Sequence, residues 1–496
     1  DALSYGRLDE AQAAFGSALV ALGLPRTARV AVYLEKRAEF VIACFGAAHG
    51  GLVFVPLNPL LKAEQVAHVL RDCAASVLVT SPERLEALAP ALAQCPALRH
   101  LVVTGQAQPV PGLGLAQHAF AALLDGREAH AHRVIDTDLL AILYTSGSTG
   151  RPKGVMHSHA GFVDMSRCIA QLSKCGQDDR MLIVMPYYHV GAKIEQSAYS
   201  LVGATIVLHR AFDPEAILAS MAEHHVTAAH LAPTMVQAML DIPTRARYDL
   251  KSLHTICYAS APMSIALLQR AIAAFGPIFM QVYGMTEGAC GAVLYKHQHI
   301  LDGTPEQVKR LASAGQPFIE CELRIVREDG TDCAVGEIGE IWGRCAAMLQ
   351  GYWRNPEAWA AAITPDGWMK TGDMGYFDNE HFLFVADRKK DMIISGGENI
   401  YSREVEEALM LHPAVLEAAV IGVPDPKWGE SVKAFIGFRP GMQASEAELI
   451  EHCRTMIASY KKPRSVEVMA ALPRLSSTNK IDKKALREPY WKGQAR

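Results

Sequence analysis

The sequence predicts an α/β fold: a large N-terminal domain of parallel sheets layered with helices, a small barrel-like element, and a smaller α+β C-terminal domain. Three observations support this prediction. Short β-branched runs alternate with helical patterns over most of the chain before residue 320, glycines then punctuate residues 321–344, and a charged run at residues 387–391 precedes a compact final segment. At 496 residues, the chain is long enough for roughly two to four domains.

The first region alternates strands with helices at a spacing typical of parallel sheets. Residues 29–33 form a β-branched run, and residues 38–50 follow with a helical pattern. Further apolar runs predict buried strands at residues 76–80, 101–104, 181–185 and 204–208. Because crossover helices cover both faces of a parallel sheet, its strands read as continuous apolar runs.

The later region departs from this pattern. Four glycines separate short strands within residues 321–344, which favours an antiparallel or barrel-like element: Gly330, Gly336, Gly339 and Gly343. The charged run Asp387–Asp391 predicts a domain boundary, with a large domain over residues 1–387 and a small one over residues 388–496. That small domain has an ordinary size for an α+β fold, and its elements are predicted at residues 402–411, 415–422, 431–438 and 445–456.

Composition excludes several classes of protein. The formal charge of -4 gives no indication of nucleic acid or an anionic membrane as a partner. No apolar run approaches the roughly 20 residues of a membrane-spanning helix, so no integral membrane segment is expected. Eleven cysteines are dispersed without a CxxC pair, which indicates reduced thiols and a cytoplasmic location rather than a disulfide frame or a zinc site. A homodimer is left open.

The strongest local signal is a glycine- and hydroxyl-rich segment that follows the apolar run at residues 139–143. Residues 144–154 read Tyr-Thr-Ser-Gly-Ser-Thr-Gly-Arg-Pro-Lys-Gly. Glycines let the backbone approach a polyphosphate, amides and hydroxyls donate hydrogen bonds, and a lysine neutralises charge. The segment differs from the common nucleotide P-loop, because Lys153 is followed by glycine rather than by serine or threonine. A flexible Ser/Gly-rich turn is the alternative interpretation.

This segment resembles the signature of the adenylate-forming superfamily, and further motifs in the family's order extend the similarity over nearly the whole chain. The superfamily contains acyl-CoA synthetases, firefly-type luciferases and the adenylation domains of peptide synthetases. Among these, the acyl-CoA synthetase branch, with its fatty-acid and aryl-CoA ligases, fits best. The resemblance implies that the segment holds the β- and γ-phosphates of ATP through Thr145, Ser146, Gly147, Ser148, Thr149, Gly150 and Lys153.

Two motifs resemble the family's adenine-binding segments. Residues 258–262 imply ATP or AMP contacts at Ser260, Ala261 and Pro262. Residues 281–287 imply further nucleotide contacts at Gln281, Tyr283, Gly284 and Met285. Tyr283 can stack on the purine, Thr286 can donate to the α-phosphate, and Glu287 supplies the hard oxygen ligand that Mg²⁺ prefers. Taken alone, Thr286 and Glu287 could instead cap and begin a helix.

The charged boundary region resembles the part of the family that binds ribose. Asp373, in the tripeptide Thr-Gly-Asp, would accept hydrogen bonds from both ribose hydroxyls, although an isolated Asp373 would also suit an ordinary turn. Arg388 resembles the second ribose contact, and Lys390 falls where these enzymes place the hinge before a mobile small domain. A solvated charged loop is the alternative interpretation of this run, and a hinge is also such a loop.

Residues 472–481 resemble the loop that carries the family's catalytic lysine, which is assigned to Lys480. A mobile ammonium would stabilise the transition state in which a carboxylate attacks the α-phosphate and pyrophosphate leaves. Two features depart from the family pattern: Asn479 replaces the usual glycine, and the segment is one residue longer. Asparagine tolerates left-handed backbone, so the first change is mild. The second leaves Lys483 and Lys484 as rival candidates.

The turn at residues 395–401 resembles the acyl-CoA synthetase version of a small-domain segment, which implies that Gly396 and Gly397 contact coenzyme A. Adjacent glycines allow close approach of a narrow thiol arm. Trp428 matches a position that can stack on the adenine of CoA, and a packing tryptophan is the alternative. No segment resembles a serine-bearing carrier module, and the printed chain ends 16 residues after Lys480.

Residues 186–192 resemble the segment beside the acyl pocket, which implies that His189 gates the path of the thiol and acts with the catalytic residues. The pocket is expected to include His189, Ala192, Tyr258 and Gly284. Lys193 and Glu195 should pair or face outward, because an isolated charge in an apolar pocket is costly. An inward Lys193 would imply a polar or anionic tail on the acid. His157 and His159 are interpreted as helix-surface residues, since no third metal ligand stands out.

The predicted function is that of an acyl-CoA ligase that uses ATP, Mg²⁺ and coenzyme A. It would activate a small carboxylic acid to an acyl-adenylate with release of pyrophosphate, then transfer the acyl group to CoA with release of AMP. One alternative is an adenylating enzyme that passes the acyl group to a carrier protein or another nucleophile. Another is a non-catalytic nucleotide-binding relative. Aryl, medium-chain and long-chain acids all remain open.

Overall fold

A computed structural model describes residues 2–105, 114–125, 130–145, 152–259, 263–288, 291–475 and 480–492. The chain forms two compact units, a larger one of residues 1–323 with 343–369 and a smaller one of residues 324–342 with 370–496. The domain boundary expected after residue 387 stays a prediction. None of the described helices is both long enough and apolar enough to cross a membrane.

Strands and helices alternate along most of the described chain. The strands before residue 160 are β1 (Arg29–Tyr33), β2 (Val53–Pro56), β3 (Val77–Thr80), β4 (His100–Val103), β5 (Ala116–Ala119), β6 (Leu139–Thr145) and β7 (Lys153–Ser158). Those between residues 180 and 317 are β8 (Arg180–Ile183), β9 (Thr205–Leu208), β10 (Ala228–Leu231), β11 (Thr255–Tyr258), β12 (Phe279–Gly284), β13 (Gly291–Leu294) and β14 (Gln316–Pro317). The remaining strands are β15 (Cys321–Val326), β16 (Gly339–Cys345), β17 (Gly351–Tyr352), β18 (Met369–Phe377), β19 (Leu383–Arg388), β20 (Ile393–Ser395), β21 (Glu398–Ile400), β22 (Val415–Asp425), β23 (Gly429–Phe438) and β24 (Ser465–Val468).

The α-helices are α1 (Tyr5–Ala21), α2 (Ala38–His49), α3 (Ala63–Asp72), α4 (Pro82–Leu92), α5 (His159–Ser173), α6 (Val190–Leu201), α7 (Pro214–Glu223), α8 (Pro233–Leu240), α9 (Ile265–Phe275), α10 (Pro305–Lys309), α11 (Pro356–Ala362), α12 (Ser402–Met410), α13 (Glu446–Met456) and α14 (Lys483–Arg487). Short 3₁₀ turns lie at Ala121–Leu124, Arg245–Arg247, Lys296–Gln298 and Arg310–Ala312.

The first sheet of the larger unit has eight strands in the order β17-β7-β6-β2-β1-β3-β4-β5. Its central pairs are parallel, whereas β7 runs antiparallel to β6 and to β17. Alternate residues of β1 enter different cores: Val30 packs in one apolar cluster and Ala31 in another. Since both clusters are buried, both faces of this sheet are covered, as the continuous apolar runs predicted.

The second sheet of the larger unit has seven strands in the order β14-β13-β12-β11-β10-β8-β9. The strands from β9 to β12 are parallel, and β13 and β14 complete one edge in antiparallel pairing. This sheet matters for function because the carboxyl ends of parallel strands meet at one edge, where loops can gather polar side chains. The predicted α/β class is confirmed for the large part of the chain.

The strands between residues 321 and 388, apart from β17, form a four-stranded sheet in the order β15-β16-β18-β19. The region in which glycines predicted an antiparallel or barrel-like element is therefore a small sheet, whose β18 and β19 pair antiparallel. A further sheet of the smaller unit has the order β21-β20-β23-β22, with β24 parallel to β23. Val405, Leu409 and Leu449 of α12 and α13 pack against it in one core, so the predicted α+β character is confirmed.

Candidate active site

The predicted phosphate loop connects two antiparallel strands of the first sheet. β6 and β7 pair so that Thr145 lies opposite Lys153 and Tyr144 opposite Gly154. The ladder therefore holds Thr145 and Lys153 side by side at the base of the connection. The other predicted phosphate contacts, Ser146, Gly147, Ser148, Thr149 and Gly150, lie outside the described residues.

Tyr352 links two of the predicted site residues. The Lys153 ammonium lies 5.1 Å from the centroid of the Tyr352 ring, and the Tyr352 hydroxyl donates to Glu287 Oε1 at 3.0 Å. The short strand β17 places this tyrosine, since Tyr352 pairs with Val155 of β7. Burial and the Glu287 charge raise the pKa of Tyr352, so its hydroxyl keeps its proton and can donate. A cation and a carboxylate thus meet on one buried ring.

Thr286 and Glu287 occupy a turn after β12 rather than the start of a helix. The amide of Gly288 donates to the Met285 carbonyl at 3.0 Å, and the Leu349 amide donates to the Glu287 carbonyl at 2.9 Å. Behind the turn lies His157 of β7, which is buried, and burial lowers its pKa to about 4. The interpretation of His157 as a helix-surface residue is wrong, because it belongs to a strand whose side chain faces the core.

The two adenine-related motifs lie on neighbouring parallel strands. Tyr258 at the end of β11 pairs in register with Gln281 of β12, and the side-chain oxygens of the two residues are 3.2 Å apart. The Tyr258 hydroxyl also donates to His299 Nε2 at 3.0 Å, since His299 Nδ1 must donate to the Tyr295 carbonyl at 2.9 Å. Burial lowers the pKa of His299 to about 4, which suits this neutral acceptor.

Other residues of these motifs have simpler surroundings. Tyr283 and Gly284 close β12, opposite Ala292 and Gly291 of β13, and Met285 follows at the turn. Ser260, Ala261 and Pro262 lie outside the described residues. The roles predicted for Tyr283, Gly284 and Met285 in nucleotide binding, and for Tyr258 and Gly284 in the acyl pocket, stay predictions.

The segment predicted beside the acyl pocket begins helix α6. His189 is the residue before the helix, and its Nδ1 accepts from the Gly191 amide at 3.4 Å. Ala192 is buried one turn further on. The gating role of His189 stays a prediction, although its place at the helix start fixes where the imidazole lies.

Lys193 does not fit the expectation that it would pair with a charge or face outward. Its side chain is fully buried, and its ammonium lies 4.8 to 5.3 Å from the centroids of four aromatic rings: Phe40, Phe45, Phe54 and Tyr187. The expectation was wrong because it allowed only a charged partner, whereas ring faces also attract a cation. Glu195 is buried as well, and its carboxylate oxygen Oε2 lies 2.6 Å from His230 Nδ1. Among the described residues the Lys193 ammonium has no hydrogen-bond partner, and the polar or anionic tail that an inward Lys193 would imply stays a prediction.

In the smaller unit, the predicted ribose residues are cross-strand neighbours. Asp373 of β18 pairs with Arg388 of β19, and Arg388 Nε lies 3.6 Å from Asp373 Oδ1. Lys480 lies close to this pair. Burial and, to a lesser extent, the Arg388 guanidinium lower the pKa of Lys480 to about 8, although the Asp373 charge opposes the shift. Three residues that the motifs predicted separately therefore come together within one unit.

Lys483, a rival for the catalytic lysine, is already engaged in the interior of the smaller unit. Its ammonium lies 2.7 Å from Glu406 Oε1 and donates to Ser402 Oγ at 2.6 Å. Ser402 Oγ in turn donates to Asp387 Oδ2 at 2.7 Å. Burial lowers the pKa of Lys483, but the Glu406 and Asp387 charges outweigh burial and raise it overall. This network supports the assignment of the mobile ammonium to Lys480.

The two glycines predicted at the CoA site form the two-residue tip of the β20–β21 hairpin. Gly396 and Gly397 have φ angles of +63° and +86°, which glycine adopts without strain. The Gly396 amide donates to the Trp428 carbonyl at 2.8 Å, and a side chain at Gly396 would come within 2.6 Å of the Trp428 ring. Arg464 and Lys427 lie 5.2 Å and 4.8 Å from the centroid of this half-buried ring. The Trp428 ring therefore makes cation–π contacts with Lys427 and Arg464 in addition to its apolar packing.

Lys390 follows β19, and burial lowers its pKa. Its hinge role stays a prediction. The residues that sequence reasoning missed are Tyr352, His299, and the Ser402–Glu406 side of the Lys483 network. The sequence around these residues predicts only buried aromatic side chains or a helix. It does not predict their contacts, because their partners lie far away along the chain.

Comparison with known proteins places these features in a family. A model described as AMP-binding enzyme matches residues 1–353, and one described as AMP-binding enzyme C-terminal domain matches residues 404–479. Feruloyl-CoA synthase of Amycolatopsis sp is 36% identical over 477 residues, which cover 96% of this chain and 92% of that relative. Fatty acid--[acyl-carrier-protein] ligase ScoC of Streptomyces coeruleorubidus is 33% identical over 500 residues, covering 100% and 93%. The solved structure of the anthranilate CoA ligase AuaEII in complex with anthranoyl-AMP is similar with a TM-score of 0.86 at 28% identity, covering 98% of this chain and 92% of that one.

Proposed function

This chain belongs to the family of AMP-binding enzymes, and we propose that it is an acyl-CoA ligase that works through an acyl-adenylate. The resemblance to the adenylate-forming superfamily is confirmed by the family models and by the related ligases. In the first half-reaction the acid's carboxylate attacks the α-phosphate of ATP, and pyrophosphate leaves. In the second, the thiol of coenzyme A attacks the acyl carbonyl carbon, and AMP leaves.

The observation that carries the proposal is the meeting of Lys153 and Glu287 on Tyr352. Lys153 lies at the base of the glycine-rich connection, and Glu287 lies in the turn after the second nucleotide motif. The Tyr352 ring contacts the ammonium and its hydroxyl holds the carboxylate. A polyphosphate needs a cation for its charge and a fixed acidic group for its metal ion, and this arrangement supplies both from two distant motifs.

Glu287 fits the Mg²⁺ ion that the family uses with ATP. Its carboxylate is a hard oxygen donor, and the hydroxyl of Tyr352 orients one of its oxygens. Glu287 would hold the ion together with oxygens of the nucleotide phosphates. Bound Mg²⁺ would offset the negative charge on the phosphates. The protein itself would orient the Glu287 carboxylate and place Lys153 beside it.

Lys480, Asp373 and Arg388 support the remaining steps of adenylation. Asp373 accepts hydrogen bonds and would bind the ribose hydroxyls, and Arg388 holds that carboxylate in place. The Lys480 ammonium would stabilise the negative charge that carboxylate and α-phosphate share during attack. With a pKa near 8, Lys480 still carries its proton at neutral pH.

The Gly396–Gly397 tip beside Trp428 supports coenzyme A as the acceptor. A hairpin tip without side chains leaves room for the pantetheine arm, and the Trp428 ring offers a face for stacking of adenine. Arg464 and Lys427 on that ring would bind the phosphates of CoA. Transfer to a carrier protein is the alternative, because the related ScoC is named as a carrier-protein ligase.

The acid is proposed as a small carboxylate, with an aryl acid as the first candidate because feruloyl-CoA synthase and anthranilate CoA ligase are among the relatives. Medium- and long-chain acids remain alternatives. The ten described cysteines are free thiols, which supports a cytoplasmic location, and a homodimer stays open.

A panel of acids assayed for CoA-dependent AMP release tests this proposal. Ferulate, indoleacetate, octanoate and palmitate would sample the aryl and aliphatic classes. Pyrophosphate release reports adenylation, and mass spectrometry of the products identifies a CoA thioester. A parallel reaction replaces CoA with a phosphopantetheinylated acyl carrier protein. Pyrophosphate and adenylate without any CoA thioester would exclude the ligase, and acylation of the carrier protein alone would establish the alternative.

A further inference from the structure

Three polar side chains meet at the second sheet of the larger unit, on a face that also carries the buried apolar residues Met280 and Val293. His230 of β10 and Cys257 of β11 are direct register partners on neighbouring parallel strands, so their side chains point the same way. Glu195 reaches them from helix α6. The strand residues that alternate with them, such as Leu231 and Ile256, point to the opposite face of the sheet and pack in a separate apolar core. None of the three was assigned a role in adenylation or thioester formation above.

These side chains are close together and cut off from water. One donor atom from each residue lies within 4.8 Å of the other two, and Glu195 Oε2 is 2.6 Å from His230 Nδ1. The exposed fractions are only 5% for Glu195, 4% for His230 and 5% for Cys257. Within the described residues, both ring nitrogens of His230 and Glu195 Oε2 lack a well-formed hydrogen bond. A buried polar cluster with such atoms lacks a partner that would satisfy them.

From this geometry we propose that Glu195, His230 and Cys257 bind a Zn²⁺ ion. Sulfur, imidazole nitrogen and carboxylate oxygen are the three ligand types of zinc in proteins, whereas Mg²⁺ and Ca²⁺ select oxygen alone. A thiolate and a carboxylate would neutralise the divalent charge, so the loaded cluster carries no net charge into the apolar core. Two ligands stand on paired strands and the third on a helix packed over them, which holds the donors in place.

The ion would tie α6 to the second sheet. His189 immediately precedes that helix, and its Nδ1 accepts from the Gly191 amide. The ring of His230 packs on Gly191, since a side chain there would come within 3.3 Å of His230 Cε1. The zinc site would therefore position the start of α6 and His189 from behind. This inference does not depend on which acid or acceptor the enzyme uses.

Metal content and cobalt spectroscopy test the site on the full chain. Protein produced with zinc in the medium and purified by gel filtration should carry one Zn²⁺ per chain. Protein produced with Co²⁺ should show the near-ultraviolet thiolate-to-cobalt charge-transfer band. Cys257→Ala should lose that band and lower the zinc content by at least about tenfold. Cys95→Ala removes another buried thiol of the same unit and should change neither.

The wild-type protein alone can refute the proposal, so the test does not depend on the folding of a variant. Purified wild type without stoichiometric zinc, or a cobalt form without a thiolate band, overturns it. A band that persists in Cys257→Ala also overturns it, because another cysteine would then be the ligand. His230→Gln, which keeps a similar volume, should lower the zinc content as Cys257→Ala does.

Discussion

Replacing Tyr352 with phenylalanine should weaken adenylation while leaving the larger unit folded. Phenylalanine keeps the ring that Lys153 lies on and the apolar contacts around it. It removes only the hydroxyl, which donates to Glu287 Oε1 at 3.0 Å. The substitution therefore separates the orientation of one carboxylate from the packing of β17 on β7.

The size of the effect follows from the type of hydrogen bond. A hydrogen bond to a charged group contributes about 1.5–3 kcal/mol when buried. Glu287 is only half-buried, so water can replace part of the lost bond, and the lower end of that range applies. About 1.4 kcal/mol corresponds to a tenfold change in rate, so kcat/KM for ATP should fall roughly tenfold.

Pyrophosphate release at saturating acid, with ATP and Mg²⁺ varied, measures this prediction. The variant should need more Mg²⁺ for half-maximal rate, because its carboxylate is less well oriented. Tyr33→Phe is the matched control, since it removes a hydroxyl that donates to the Leu61 carbonyl elsewhere in the same unit. An unchanged kcat/KM and Mg²⁺ dependence in Tyr352→Phe, with normal thermal stability, would refute the role given to Tyr352.

Four further outcomes are expected. Lys480→Ala should lower pyrophosphate release by about 10²-fold or more yet still form thioester from supplied acyl-adenylate; equal loss of both half-reactions would contradict its role. In the wild type, adenylation should decline as the pH rises through about 8, where Lys480 loses its proton; a flat profile to higher pH would contradict this. Gly396→Ala should slow thioester formation about tenfold and leave adenylation unchanged, because the new side chain would meet the Trp428 ring. The control Gly441→Ala should leave thioester formation unchanged, because Gly441 also has a positive φ but has no atom near the position of the added side chain. Lys193→Met should raise Tm, because desolvation of the buried ammonium costs several kcal/mol and the surrounding rings offset only part of that cost. Burial lowers the pKa of Lys193, so the unfolded state binds more protons, and the gain should be largest at low pH and shrink toward the ordinary lysine pKa.

The architecture was largely readable from periodicity. Continuous apolar runs such as residues 29–33 became strands covered on both faces, because alternate residues pack into separate cores. Strand β17 could not be found this way. It has only two residues, Gly351 and Tyr352, and no period can be counted over two positions. This strand forms because it pairs with the edge of β7, and that pairing depends on the tertiary structure rather than on the local sequence.

The candidate site, like the fold, has residues that the local sequence predicts and residues that only the tertiary structure brings together. Lys153, Glu287, Asp373 and Arg388 could be predicted because their motifs are local, and a local motif keeps its chemistry in its own residues. Tyr352 was missed because both of its partners are far away in sequence. The cluster of Glu195, His230 and Cys257 was missed for the same reason: dispersed cysteines without a paired spacing argued against a metal site. Register between β10 and β11, not spacing along the chain, brings His230 and Cys257 together.

Backbone pairing also supports the proposal that Lys480 is the catalytic lysine, although its loop departs from the family pattern. The Leu475 amide donates to the Lys480 carbonyl at 2.8 Å, and Arg474 pairs with Ile481. These backbone contacts place Lys480 beside Leu475 within the smaller unit. Thr145 and Lys153 stand at the base of their own connection in the same way. In both places pairing between backbone segments sets the position of the charged residue.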